Sequence, residues 1–514
     1  MSASVTPSFD LLVVGGGVNG TGIARDAAGR GLKVLLCEQD DLAAHTSSAS
    51  TKLIHGGLRY LEEFHFELVR KALREREVLL SAAPHIMRAL RFIMPYAPHL
   101  RPAWMIRAGL FLYDHLAARQ HLAASGAVDL RKHIAGDALK SGYRRGFVYS
   151  DAQVDDARLV VLNALDAEAR GAIVLTRTRC ERLAPEDGGW YAELSTADGR
   201  RQLRARAVVN ATGPWVGRFI ADITPVQARK EVRLVKGSHL VVPRLFEHRF
   251  AYIFQNEDRR IVFAIPYEHD FTLIGTTDVD YQADPATVQI DDQEVDYLCA
   301  LANRYFRQQI SPADVIWSYS GVRPLLADES SDPTRVTRDY ALELDREPAP
   351  LLSVFGGKIT TYRRLAEDAV NLLGPILGAR AAPWTATATL PGGDLPEGSF
   401  AVFLRTVERR YPWLPQPLRL RYAHAYGTRM QRVLAGAASV AELGQQVLPQ
   451  LYERELEYLW REEFARTAED ILWRRSKLGL HLLASKIDPG PLERWLFARA
   501  ARATPANKHL WTST

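Results

Sequence analysis

Gly15, Gly17 and Gly20 stand at the spacing of a phosphate-cradling turn, in the run Gly15-Gly16-Gly17-Val18-Asn19-Gly20, and Glu38 closes the next apolar segment. Each glycine has its own task. Gly15 permits the tight turn, Gly17 lets the backbone approach a pyrophosphate, and Gly20 lets the following helix pack closely. The helix start offers N–H groups to the anion, and an acid at this distance suits a ribose. The chemistry implied is capture of a dinucleotide. A second run, Ser47-Ser48-Ala49-Ser50-Thr51-Lys52-Leu53-Ile54-His55-Gly56-Gly57-Leu58-Arg59-Tyr60-Leu61-Glu62, stands where a further strand is expected and points to a flavin.

The elements that must position these residues are legible in the pattern. Phe9 to Val14 and Lys33 to Cys37 read as apolar strands flanking the glycine turn and its helix. Phe66 to Ala83 has helical spacing and stops at Pro84. A helix is expected from about Asp156 to Arg170, then a strand at Ala172 to Leu175 and a hairpin around Gly188-Gly189 and Asp198-Gly199. Arg206 to Asn210 is a strand running into Ala211-Thr212-Gly213-Pro214-Trp215, and Lys230 to Asp280 holds short β runs of antiparallel character. Late in the chain, Leu351 to Phe355 meets Gly356-Gly357-Lys358-Ile359-Thr360 and a helix to about Leu373, building a second anion-facing helix start. Gly374 to Pro396 reads as a linker, and Glu397 to Thr514 as all-α.

Composition bounds the rest. The 514 residues suggest about three domains, and 47% apolar content supports full cores. Cys37, Cys180 and Cys299 lie far apart, so neither a disulfide framework nor a zinc site is expected. The N-terminus shows no signal-peptide pattern, and no apolar run is long enough to span a bilayer. A formal charge of +5 favours an anionic partner, with nucleic acid, anionic lipid and a phosphorylated substrate all open at this level.

The motifs, taken in order, resemble those of the flavin-dependent, membrane-associated glycerol-3-phosphate dehydrogenases. The resemblance runs nearly end to end: the Gly15 turn, Thr46 to Leu61, Pro98 to Met105, Asn210 to Trp215, Lys236-Gly237-Ser238-His239, Gly275-Thr276-Thr277-Asp278, Ser320 to Leu325, Phe355 to Arg363 and Ala468 to Arg475. It implies an α/β fold of the D-amino acid oxidase type: a two-dinucleotide-binding (Rossmann-like) FAD domain, an antiparallel-sheet substrate domain and an all-α C-terminal domain. The expected division is 1–83, 149–222 and 315–385 for the FAD-binding parts, 84–148 for a helical membrane-contact segment, 223–314 for the substrate cap and 386–514 for the C-terminal domain.

The resemblance also implies a reaction, the oxidation of sn-glycerol 3-phosphate to dihydroxyacetone phosphate, with FAD taking the hydride and a membrane quinone the electrons. A phosphate dianion calls for guanidinium forks and an ammonium, and Arg59, Arg323 and Lys358 sit in the matching motifs, with Tyr60 as neighbour. His55 is the first candidate to take the C2 hydroxyl proton, because imidazole titrates nearest neutral pH and Gly56-Gly57 let the loop press on the isoalloxazine. Arg323 is the alternative, steadying the developing alkoxide, and His239 a third choice better read as a buried structural histidine. For FAD, Gly15, Gly17, Gly20 and Glu38 fall to the adenosine and pyrophosphate end and Ser47, Ser48 and Lys52 to the ribityl and phosphate side. Gly213 falls beneath the cofactor, with Gly356, Gly357, Lys358 and Thr360 beside the flavin's N1–C2 edge. No metal or nucleic acid is expected, and a homodimer is possible. Two competing readings are an oxidase passing electrons to O2 and a non-catalytic FAD-binding protein.

One segment carries a membrane expectation. From His85 to Arg119, five arginines alternate with large apolar residues against the single acid Asp114. Trp104 to Leu116 suits an interfacial helix with Trp104, Leu110 and Phe111 toward the lipid. Peripheral attachment to the cytoplasmic face of the inner membrane follows.

Overall fold

The computed structural model describes residues 6–97, 101–257, 260–326, 339–379 and 381–502. The described residues form two large sheets and a mostly helical C-terminal domain. The first sheet runs Ala341–Asp345, Leu351–Phe355, Gly199–Asn210, Ser8–Val14, Val34–Cys37, Ile173–Leu175, parallel except at the Ala341–Asp345 edge, with the hairpin Arg179–Glu186/Gly189–Thr196 joined to Gly199–Asn210. Gly199–Asn210 shows why its residues sit where they do. Its first half alternates in burial beside the hairpin, and its last four residues are all buried between parallel neighbours, as expected where a strand passes from one solvated face to two covered ones. Helices α1 (Val18–Gly29), α4 (Asp156–Ala169) and Tyr362–Leu377 cover one face and share its apolar core; between α1 and α4 in sequence lie α2 (Phe66–Ala82) and α3 (Ala103–His115).

The second sheet runs Val279–Asp280, Val232–Pro243, Phe271–Gly275, Ile261–Tyr267, Ala251–Gln255, Met87–Pro95, Arg145–Val154, Leu53–Ile54, with Trp317–Leu326 also on Val232–Pro243. It is antiparallel save where Ala251–Gln255 meets Met87–Pro95. Two expectations are corrected here. Segment 84–148 is not helical throughout: Met87–Pro95 is an internal strand, because Phe92 and Met94 enter one core and Ile93 the other, a period of two. The substrate sheet is likewise not confined to 223–314, since Arg323 lies on it, paired with Val235.

The expected linker is tied down. The preceding helix continues to Leu377, and Trp384 packs on the edge of Gly29, donates to the Asp26 carbonyl and lies under the Arg170 guanidinium at 3.8 Å. The C-terminal region has its own apolar core but is not purely α: it adds a small hairpin, Gln446–Leu448 with Leu451–Tyr452, and the π-helical turn Asp470–Arg475. That turn docks on the first domain through buried pairs. Arg474 and Arg475 both reach Asp41 at 2.7 Å, and Glu463 pairs with Arg158, both side chains fully buried. Of the matched motifs, Pro98 to Leu100 lie outside the described residues, as does the chain beyond 502.

Candidate active site

A cavity of about 600 Å³ opens between the two sheets. Its dinucleotide end is built by the glycine turn. Gly15 has φ +114°, and a Cβ there would lie 2.5 Å from the Ala211 carbonyl oxygen; one on Gly20 would lie 1.9 Å from the Gly15 oxygen. Gly20 therefore serves the packing of α1 and does not itself line the cavity, whereas Gly15 and Gly17 do. Gly17 occupies the N-cap of α1, and Ser47 Oγ accepts from the Val18 N–H at 3.0 Å. Glu38 stands at the end of its strand and accepts from the Gly16 and Asp40 N–H groups at 2.6 and 2.8 Å. Its burial raises the carboxyl's pKa above the ordinary carboxylate value, against the pull of those donors. Gly213 adopts φ +59° with open space where a side chain would be.

The other end belongs to His55, Arg59, Tyr60, Arg323, Lys358, Gly356, Gly357 and Thr360, all on the cavity wall. Gly57, at φ +77°, starts the short turn Leu58–Leu61 that carries Arg59 and Tyr60, and leaves no room for a Cβ beside the Tyr60 ring. Lys358 Nζ sits 4.2 Å from the centre of that ring, so the phenol face partly offsets a cation withdrawn from water. Arg323 is anchored by the Asp278 carboxylate and by the Thr277 carbonyl at 3.0 Å. The strand Leu351–Phe355 delivers Gly356 and Gly357 at φ +72° and +97°. Asn19 bridges to them, donating to the Gly356 carbonyl at 3.4 Å, while its buried Oδ1 has no hydrogen-bond partner among the described residues. That orphan acceptor, the Gly17 approach and the two helix starts fit a dinucleotide bound along the whole cleft.

Two assignments are corrected. Lys52 is 2% exposed and does not line the cavity, its ammonium held 2.9 Å from both Asp156 oxygens and from the Ser48 carbonyl. Ser48 does not line the cavity either. His239, the third choice, is also on the cavity wall: it is buried and stacked on Tyr319 with Nε2 2.9 Å from Thr51 Oγ1, its buried Nδ1 has no hydrogen-bond partner among the described residues, and burial holds it down to about 3. Residue-by-residue reading missed Asn19, Asp151 and Asp278 on the wall. Asp278 was within reach, because an acid in a matched motif, in a site expected to gather several cations, calls for an ion pair. Among the described residues no His/Cys/Asp/Glu cluster suits a metal.

The comparisons agree with this geometry. Residues 10–363 match the family model "FAD dependent oxidoreductase", and 384–486 match the "C-terminal domain of alpha-glycerophosphate oxidase". The chain is 55% identical over 496 residues to glycerol-3-phosphate dehydrogenase of Pseudomonas aeruginosa, covering 95% of this chain and 96% of that one. It is 49% identical over 476 residues to D-erythritol 1-phosphate dehydrogenase of Brucella abortus, covering 92% and 95%. The crystal structure of glycerol-3-phosphate dehydrogenase from Bacillus halodurans complexed with FAD superposes with a TM-score of 0.77 at 28% identity, over 98% of this chain and 93% of that one. The cofactor is FAD, and the chain belongs to the FAD-dependent oxidoreductase family, in its glycerol-3-phosphate dehydrogenase group.

Proposed function

We propose that the protein oxidises sn-glycerol 3-phosphate to dihydroxyacetone phosphate and passes the electrons to a membrane quinone. The observation that carries this reading is that Arg59, Arg323, Lys358 and His55 all line the same cleft as the Gly15 turn. Two guanidinium groups and an ammonium offset a phosphate dianion, and their geometry fixes the substrate's direction. With the phosphate held, His55 takes the proton from the C2 hydroxyl as the C2–H bond breaks and the C=O bond forms. Bound FAD supplies the acceptor for the C2 hydride at N5. Gly356 to Thr360 and the N-terminus of Tyr362–Leu377 would hold the flavin end of bound FAD, where the helix's positive dipole would favour the negative charge that reduction adds.

The quinone and membrane parts rest on α3. Trp104, Met105, Phe111 and Leu112 are exposed on it, while Ile106, Leu110 and Tyr113 are buried. The buried residues join Leu53, Tyr149 and Ile253, which line the cavity, so an apolar wall links the exposed face to the site. A helix with this division suits peripheral seating at the cytoplasmic face of an anionic inner membrane. No described helix is long and apolar enough to cross one.

Mixing the purified holoprotein anaerobically with sn-glycerol 3-phosphate tests the reading: the flavin absorbance should bleach, and reoxidation should be much faster with a short-chain quinone than with O2. Rapid reoxidation by O2 alone would favour an oxidase, and no bleaching a binding protein. The Brucella relative supports a second substrate reading, D-erythritol 1-phosphate, which the same traces decide by comparing the two phosphates.

A further inference from the structure

The loop that carries His55 is gripped from two sides. On one, the His55 N–H donates to Thr360 Oγ1 at 3.2 Å. On the other, Gly56 is pressed against α2 and α3, so that a Cβ there would lie 2.5 Å from Leu73 Cδ2 and 2.8 Å from the Tyr113 oxygen. The Gly56 N–H donates to that phenolic oxygen at 2.7 Å. The phenol in turn donates to the Asp151 carboxylate, 2.7 and 3.0 Å from its two oxygens. Arg76 pairs with Asp151 and lies over the Tyr113 ring at 5.5 Å.

Every member is buried: Tyr113 and Arg76 are 2% exposed and Asp151 3%. Asp151 and His55 both line the cavity. Burial and the Asp151 charge push the Tyr113 phenol well above its ordinary value, so it keeps its proton. With that proton directed at a carboxylate, which only accepts, the remaining lone pairs face the Gly56 N–H. The direction of the whole chain is thereby set, Arg76 to Asp151 to Tyr113 to Gly56.

We propose that Tyr113 is a positioning residue for substrate oxidation: its hydroxyl, oriented by Asp151 and Arg76, fixes the Gly56 peptide and so places the His55 imidazole against the C2 hydroxyl of the substrate. This rests on the reading of His55 as proton acceptor. A supporting hydrogen bond of this kind acts on rate more than on affinity, because a displacement of about 1 Å in a reacting group costs up to roughly 100-fold, while the phosphate is held elsewhere by Arg59, Arg323 and Lys358.

The test is a double-mutant cycle on the FAD-loaded protein, read by anaerobic stopped-flow reduction with sn-glycerol 3-phosphate. Tyr113→Phe keeps the ring and removes the acceptor of the Gly56 N–H. It should slow flavin reduction by about 10- to 100-fold, with the substrate concentration at half-maximal rate shifted less than about threefold and the flavin spectrum kept. Adding Tyr113→Phe to His55→Asn should slow reduction no further than His55→Asn alone, because the phenol acts through the imidazole. Independent, multiplying effects would overturn the proposal, as would a Tyr113→Phe protein reduced at the wild-type rate. A His55→Asn protein reduced at the wild-type rate would instead remove the base assignment on which the proposal rests. Should Tyr113→Phe fail to hold FAD, Asp151→Ala answers the same question, because it removes the acceptor of the Tyr113 hydroxyl while Glu77 stays 3.7 Å from Arg76; it too must slow reduction without adding to His55→Asn.

Discussion

At the scale of single residues, the cations on the wall divide by how they are held. Arg323 is clamped by Asp278 and Thr277, and Lys358 rests on Tyr60. Arg323→Ala and Lys358→Ala are each expected to lower kcat/KM for sn-glycerol 3-phosphate by about 100-fold or more, the loss of a charge-assisted bond in a desolvated site, with FAD still bound. Steady-state kinetics beside the flavin absorbance of the purified variants checks this, and near-normal kcat/KM in both would refute the phosphate assignment. His55→Asn is expected to slow anaerobic flavin reduction by about 100- to 10,000-fold, the usual worth of a general base, while half-saturation changes little. An unchanged reduction rate would hand the proton to Arg323 or to water. Gly15, Gly17 and Glu38 were readable because the spacing of glycines and an acid encodes a turn over a few residues, whereas the His55 run was read through its resemblance to a family motif. Asp151 and Asn19 were not, since their partners at Tyr113 and Gly356 stand 38 and 337 positions away. Lys52 misled for the same reason: the carboxylate that turns it inward lies 104 positions on.

Among the elements, α3 shows what periodicity can and cannot settle. The helix over Trp104 to Leu116 was legible, and so was its amphipathic character, but which apolar residues face outward depends on the partner beneath. Leu110 is 1% exposed and belongs to the core shared with the cavity wall, while Leu112 is 39% exposed. The informative variant is therefore Trp104→Ser with Phe111→Ser and Leu112→Ser. Removing these large side chains should release the protein from anionic vesicles in a sedimentation assay, with oxidation measured by a soluble dye retained. Equal sedimentation of variant and wild type would exclude α3 as the anchor. Met87–Pro95 marks the opposite limit. Its arginines and large apolar residues read as a surface helix, yet its strand neighbours come from segments up to the Ala251–Gln255 strand, and no local pattern announces pairing over such a distance.

For the whole molecule, several buried histidines tie stability to pH. Burial holds His85 and His239 down to about 3 and His424 to about 4, whereas an unfolded chain protonates histidine near 6.5. At these three sites the unfolded chain binds more protons between roughly pH 6.5 and 4, so they lower stability as pH falls, opposed in part by Glu268, whose carboxyl burial raises to about 7. Each histidine contributes up to about 1.4 kcal/mol per pH unit in that window. Thermal unfolding followed by flavin fluorescence should show a midpoint lower at pH 5 than at pH 7, and a flat profile would show that these sites do not stay neutral. The docking of the π-helical turn on Asp41 has a consequence of another kind, in the order of synthesis. Asp41 follows closely on Glu38, and its guanidinium partners come 433 and 434 positions later. At roughly 5–20 residues per second, the nascent chain waits on the order of 20–90 s before that buried carboxylate is neutralised, and leaving such a charge unpaired costs about 3–5 kcal/mol. The part of the cleft beside Glu38 therefore gains these partners long after its own residues are made.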